Sequence, residues 1–333
     1  MLPEEITEAL SLSQKFRGAQ IFKWIGSGAV SFEQMTNLSK DVREELAQKA
    51  VIRSSRVAQT LKDPDGTIKL QIELADNSAV ETVLLTDKEG RKTACVSCQV
   101  GCGMKCAFCQ TGRLGFLRNL TAGEIVEQFL FLEEECGKLD NIVFMGMGEP
   151  MLNLDGIRKA IRILSDPQGR NLSTRRITLS TSGIIQGIYD LADNGPGIRL
   201  AVSLTTADEE LRETLMPVTR ANPLPELKKA ITYYAQKSGK RVTLEAALLA
   251  DKNTSRQSAE RMIAFARGAD VNINLIPWNP VEGLPFQEPT AQEVNSFVHQ
   301  LENAGLNVTL RKKRGRKIGG ACGQLGKVNA GKN

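Results

Sequence analysis

The sequence predicts an α/β fold, a full or partial (β/α) barrel, on three observations. From about residue 94 onward, strand-like apolar runs alternate with amphipathic helical stretches. The 333-residue chain is 41% hydrophobic and 24% charged, an ordinary globular composition that suits one large domain with small appendages. No apolar run approaches the roughly 18 residues that a membrane helix needs. A doubly wound open sheet is the alternative at this level.

Residues 1–50 read as a small helical unit. FRGAQIFKWI (16–25) and SKDVREELAQ (39–48) each carry apolar residues at helical spacing. The opening MLPEEITEAL is acidic and lacks a signal-peptide core, so a cytoplasmic protein is expected. Residues 51–93 read as a short antiparallel β segment. In TIKLQIEL, Ile68, Leu70, Ile72 and Leu74 alternate with polar residues, as in a half-buried strand. Asp65-Gly66 before it is a hairpin-turn dipeptide, and AVETVLL (79–85) is the next strand.

Residues 94–310 carry the βα rhythm. Strands are expected at ACVSCQV, NIVFMGM, RRITLSTS, IRLAVSL, RVTLEAALL, VNINLIPW and NVTLRK. Helices are expected at 121–136, 154–165, 184–193, 207–215, 224–238, 255–268 and 290–304. Two open with capping boxes, Thr121 with Glu124 and Thr290 with Glu293. In such a barrel, function gathers at the C-terminal ends of the strands. Residues 311–333 form a basic tail. The last 25 residues hold eight Lys and Arg and no acid, leaving 35 bases against 38 acids in the rest. A solvated tail is the bland reading of such a run; an anionic partner is the functional one.

Two counts bound the chemistry. The one His, His299, leaves little material for a Ser-His or Cys-His nucleophile. Five of the seven Cys lie between Cys95 and Cys109. Cys102, Cys106 and Cys109 make a C-x3-C-x2-C triplet in a loop after the first barrel strand, and three clustered thiolates suit a soft metal or an Fe–S cluster. A structural zinc site wants four closed ligands, so three leave a coordination position open for chemistry. A zinc site completed by Cys95 or Cys98 stays open as the bland alternative.

The triplet, with Phe108 before its last Cys, resembles the radical S-adenosylmethionine (SAM) superfamily. CVSCQVGCGMKCAFCQTGRLGFLRNLT, FMGMGEPMLN, RRITLSTSG, LAVSL with ELRETLMP, NLIPWNP and ACGQL follow in the order of the RlmN/Cfr family. QIFKWI and MTNLSK resemble the RlmN branch. The resemblance covers nearly the whole chain. It implies a radical SAM partial (β/α)6 barrel and methylation at C2 of a specific adenine in 23S rRNA and in tRNA.

The same resemblance implies the site. Cys102, Cys106 and Cys109 would hold one [4Fe–4S] cluster. Gly148, Glu149, Ser180, Ser203, Leu204, Thr205 and Asn279 would bind SAM, used twice per turnover. A lone Ser or Asn at a strand end is more often a turn residue or helix cap; recurrence at successive strand ends favours binding. Cys322 would accept a methyl group as S-methylcysteine, and its Lys and Arg neighbours would favour the thiolate. A 5′-deoxyadenosyl radical from the second SAM would activate that methyl for addition to adenine. Cys95 would release product by a transient disulfide with Cys322, and Glu81 would accept the adenine proton. The bland reading of Glu81 is an exposed strand carboxylate. The implied partners are 23S rRNA, tRNA and an electron donor such as a flavodoxin system, with no membrane and a monomeric state. The helical unit would add RNA-binding surface.

Two positions depart from the family pattern. Cys98 stands where Ser is usual, and Thr205 where the family reads His. Cys136 falls on the apolar stripe of its helix and reads as buried core, while His299 reads as solvent-facing. The alternatives are Cfr-like C8 methylation, a divergent paralogue with another RNA target, and a zinc-stapled non-catalytic RNA-binding protein.

Overall fold

The computed structural model describes residues 1–326. Three helices open the chain: α1 (Pro3–Ala9), α2 (Lys15–Gly26) and α3 (Lys40–Lys49). A meander follows, β1 (Arg56–Lys62), β2 (Ile68–Glu73) and β3 (Ala79–Thr86), and leads antiparallel into β4 (Lys92–Cys95). Next come a small hairpin, β5 (Gln99–Cys102) and β6 (Gly115–Asn119), and the short α4 (Gln110–Arg113) between its strands. The barrel continues as α5 (Ala122–Cys136), β7 (Asn141–Phe144), α6 (Leu154–Ser165), β8 (Ile177–Thr181), α7 (Ile185–Asn194) and β9 (Arg199–Ser203). It ends with α8 (Glu209–Leu215), α9 (Leu224–Ser238), β10 (Val242–Leu248), α10 (Arg256–Ala266), β11 (Val271–Pro277), α11 (Ala291–Asn303) and β12 (Val308–Leu310).

One ten-stranded sheet runs β1-β2-β3-β4-β7-β8-β9-β10-β11-β12. From β4 to β12 every pairing is parallel and strictly sequential. A doubly wound sheet needs a point where strand order reverses, and this sheet has none, so the doubly wound alternative falls. Six βα units and a last strand make the partial barrel. Burial alternates along its strands: in β8 Ile177, Leu179 and Thr181 are buried, and in β11 Val271, Ile273, Leu275 and Pro277 are. Ser180 and Asn274, between them, carry polar groups to the lumen side.

The core is continuous. It runs from Leu2, Ile21 and Phe22 in the helical unit through Phe129 and Phe144 to Phe297 on α11. The first 50 residues therefore share their apolar interior with the barrel. Both expected capping boxes form: Thr121 and Thr290 accept from the backbone N–H of Glu124 and Glu293, whose carboxylates accept the cap N–H in return.

Two expectations need correction. ACVSCQV is not one strand. After Cys95 the side chain of Gln128 replaces a ladder partner for the Ser97 backbone: Ser97 N–H donates to Gln128 Oε1 at 2.8 Å, and Gln128 Nε2 donates to Ser97 O at 2.9 Å. That releases β5 from the main sheet to form the hairpin. The meander runs on into the main sheet, where β3 pairs with β4. Cys136 ends α5 half-buried, packed against the core rather than within it. His299 is exposed, as expected.

Candidate active site

Residues after β7 and from β8, β9, β10 and β11 line a single cavity of about 180 Å³. Five consecutive strands can share one cavity only if the sheet curls round it. Cys102, Cys106, Cys109 and Phe108 form one side of that cavity. The loop bearing them is pinned from several directions. Ala107 N–H donates to Leu215 O at 2.8 Å, and Trp278 Nε1 donates to Phe108 O at 3.0 Å. Phe108 and Cys106 pack on a small apolar cluster of Leu215, Met216, Leu249, Trp278 and Val281.

Burial pushes all three loop thiols up, Cys102 to about 12. A thiol so placed keeps its proton unless a cation replaces it, which suits ligands that ionise on binding metal. Among the described residues no three His, Cys, Asp or Glu side chains gather closely enough to hold one metal ion. Cys95 lines a neighbouring cavity and Cys98 is buried in the core, so neither completes a four-thiol zinc site with the triplet.

The other residues fall as follows. Gly148 sits at φ +107°, and a Cβ there would lie 2.6 Å from Gln99, so only glycine fits. Glu149 N–H donates to Gln99 Oε1. The Glu149 carboxylate accepts from Thr181 Oγ1, Ser182 N–H and Met151 N–H. Burial pushes that carboxyl up, and those donors oppose the shift. Ser180 Oγ donates to Glu245 Oε2 at 2.8 Å, and Asn274 Nδ2 to Glu245 Oε1 at 3.1 Å. Ser203 and Thr205 line the cavity. Thr205 holds φ +61°, a strained value for a β-branched residue, fixed by its N–H on Glu245 O and by Asn253 Nδ2 on its carbonyl. Leu204 turns into the core and offers only backbone here. Asn279 Nδ2 donates to Cys322 O at 3.1 Å. Its Oδ1 and Ser182 Oγ are buried without a partner beside the cavity. Such orphaned polar atoms suit a polar ligand such as SAM.

The tail is a folded strap as far as it is described; Lys327 and Lys332 lie outside the described residues. The bland reading of a solvated tail fails for residues 311–326, because distant groups satisfy its backbone. Gly315 N–H donates to Asp65, Lys317 N–H to Asp63, Gln110 N–H to Gly323 O and Thr111 Oγ1 to Leu325 O. Cys322 thereby lines both the thiol-loop cavity and a smaller one of about 50 Å³ shared with Cys95 and Arg311. Burial first, then the nearby Cys322 sulfur, pushes the Cys95 thiol up to about 12. No disulfide joins them here. Glu81 is not an exposed carboxylate: it is 2% exposed, pairs with Lys69 and accepts from Gly326 N–H at 2.6 Å. It lines a third cavity, together with Lys69, Arg316 and Lys317.

Arg212 and Glu245 escaped the sequence reading, and Arg311 was read only as part of the basic run. Arg212 is fully buried and clamps strand ends, donating to Leu204 O, Ser182 O and Ser203 O. Burial lowers it to about 10. A lone acid inside RVTLEAALL was the available signal for Glu245.

Residues 96–261 match the model of the radical SAM superfamily. Residues 11–52 match that of the ribosomal RNA large subunit methyltransferase N-terminal domain. A probable dual-specificity RNA methyltransferase RlmN from Treponema denticola is 62% identical over all of this chain and 96% of its own length. The chain belongs to the RlmN family. A relative with the same description from Moorella thermoacetica is 44% identical, covering 98% of this chain and 95% of that one. A radical SAM methyltransferase from Sphaerobacter thermophilus superposes with a TM-score of 0.93 at 39% identity, covering 98% of this chain and 97% of that one. Membership in the RlmN family makes the chain a SAM-dependent methyltransferase of the radical SAM type. It implies the [4Fe–4S] cluster and SAM, and it sets aside the non-catalytic zinc protein.

Proposed function

We propose that this enzyme methylates C2 of a specific adenine in 23S rRNA and of an adenine in tRNA, with Cys322 as the methyl carrier. The observation that carries this is the position of Cys322, which lines the thiol-loop cavity on one side and the Cys95 cavity on the other. A carrier must exchange with a donor and then with a release thiol, and this residue borders both.

Cys102, Cys106 and Cys109 would hold the cluster. Gly148, Glu149, Ser180, Ser203, Thr205, the Leu204 backbone and Asn279 would receive SAM, with Ser182 added by its orphaned hydroxyl. The cluster and SAM together supply a radical that abstracts hydrogen from an otherwise inert methyl group. The protein's residues place the carrier, exclude water and move the proton. Asn279 holds the Cys322 carbonyl, and Arg311 stands beside both Cys322 and Cys95. Cys95 resolves the thioether by forming a disulfide with Cys322, which must be reduced before the next turnover. Glu81 accepts the proton that leaves the adenine carbon.

A flavodoxin-type donor supplies electrons, and the enzyme acts as a cytoplasmic monomer. The N-terminal helical unit adds RNA surface. Nucleoside mass spectrometry of rRNA and tRNA from a deletion strain tests the reading. Loss of 2-methyladenosine is expected; loss of 8-methyladenosine instead would overturn it. Cys322→Ala should abolish methyl transfer, and Cys95→Ala should leave protein covalently attached to RNA. Absence of that adduct would remove the resolving role from Cys95.

A further inference from the structure

Lys69 and Glu81 occupy neighbouring strands of the meander. β2 and β3 pair Gln71 with Glu81 and Lys69 with Val83, which places Lys69 and Glu81 diagonally on one face. Lys69 Nζ lies 2.8 Å from Glu81 Oε1, and both side chains are about 95% buried, at 5% and 3% exposure. The second Glu81 oxygen accepts from Gly326 N–H, and Lys69 Nζ also donates to Gly319 O at 3.3 Å. The pair thus touches the strap on both flanks of Cys322. Arg316, Lys317 and Glu282 line the same cavity from the strap and the loop after β11. Among these groups, Lys69 alone is paired with Glu81.

We infer that Lys69 is a positioning residue for methyl transfer: it supplies the buried counter-charge that lets Glu81 stand as the proton-accepting carboxylate. This rests on the proposed role of Glu81. A buried carboxylate is costly unless paired and hydrogen-bonded, and removal of its partner drives it toward the neutral acid. A neutral acid cannot accept the adenine proton. In the step itself the adenine C–H bond breaks, the electron pair stays with the ring, and the proton passes to Glu81.

The test uses purified holoenzyme, SAM, a reductant and an RNA transcript, with Lys69→Met, Lys69→Gln and Lys69→Arg. Two rates are followed across pH 6–9: S-methylation of Cys322, by mass spectrometry, and methyl transfer to RNA. Lys69→Met should slow RNA methylation on the order of 100-fold at neutral pH, the scale of losing a positioned base. The sign is definite: with the counter-charge gone the base form is reached only at higher pH, so activity recovers as pH rises. Cys322 methylation should keep its wild-type rate, and Lys69→Arg should restore both the rate and the wild-type pH profile. Lys69→Gln keeps a donor for Gly319 without the charge and stands in if Lys69→Met does not fold. A wild-type RNA rate in both uncharged variants would overturn the inference. So would a parallel fall in Cys322 methylation with a flat pH profile, because Lys69 would then only locate the strap. A wild-type enzyme that methylates Cys322 but never adenine C2 would sink the functional reading instead.

Discussion

Cys95 shows how burial sets the timing of a thiol. Its ordinary value is 9.0, and burial pushes it up to about 12. At neutral pH the folded and unfolded chains both carry the thiol, so this group leaves stability unchanged there. As pH rises from 9 towards 12 the unfolded chain releases its proton while the folded thiol keeps it, so stability falls. Denaturant midpoints between pH 8 and 11 should therefore drop more steeply in the wild type than in Cys95→Ala. Arg311 works in the opposite sense, as a cation beside Cys95, Cys322 and Glu245. Its removal takes away a cation beside the Cys322 sulfur. Arg311→Met should slow the proposed methylation of Cys322 severalfold, measured by mass spectrometry.

The elements were legible in the sequence to different degrees. The βα rhythm was plain because each barrel strand buries alternate residues against helices, as β8 and β11 do. The strand β1 went unassigned because it is a largely exposed edge with only weak alternation. TIKLQIEL was read as half-buried, with its polar face in water. Lys69 is nevertheless buried, because the strap from some 250 residues away covers that face. The strap was illegible for the same reason: its partners Asp63, Asp65, Gln110 and Thr111 are side chains and backbone groups far off in sequence. Most site residues named by motif line the two cavities, with Glu81 in a third and Leu204 in the core, while Arg212 and Glu245, which hold strand ends and Ser180 in place, carried no signal strong enough to single them out. Two measurements belong at this scale. Thr121→Ala and Thr290→Ala should each cost about 1 kcal/mol in unfolding free energy by loss of the cap. Asp63→Asn with Asp65→Asn should loosen the strap, and trypsin should then cut at Arg314–Lys317 faster than in the wild type.

At the scale of the molecule, the charge excess in the tail overstates what RNA would meet. Lys313 and Arg316 both pair with Glu288, so part of the positive charge is already spent within the fold. Lys312 is exposed and Arg314 half-buried on the same segment. Each phosphate contact contributes about one to the slope of log affinity against log salt. Replacing Lys312 and Arg314 by alanine should weaken RNA binding and flatten that slope by about two. An unchanged slope would place the RNA elsewhere on the surface.

The strap follows every strand of the barrel in sequence, so it leaves the ribosome after them. Folding during synthesis runs from the N-terminus. The three loop thiols are therefore assembled around a mouth that has not yet closed. Iron and sulfide can reach them through the side that Gly323 and Leu325 later cover. The order of the chain thus brings the segment bearing Cys322 over the thiol loop last.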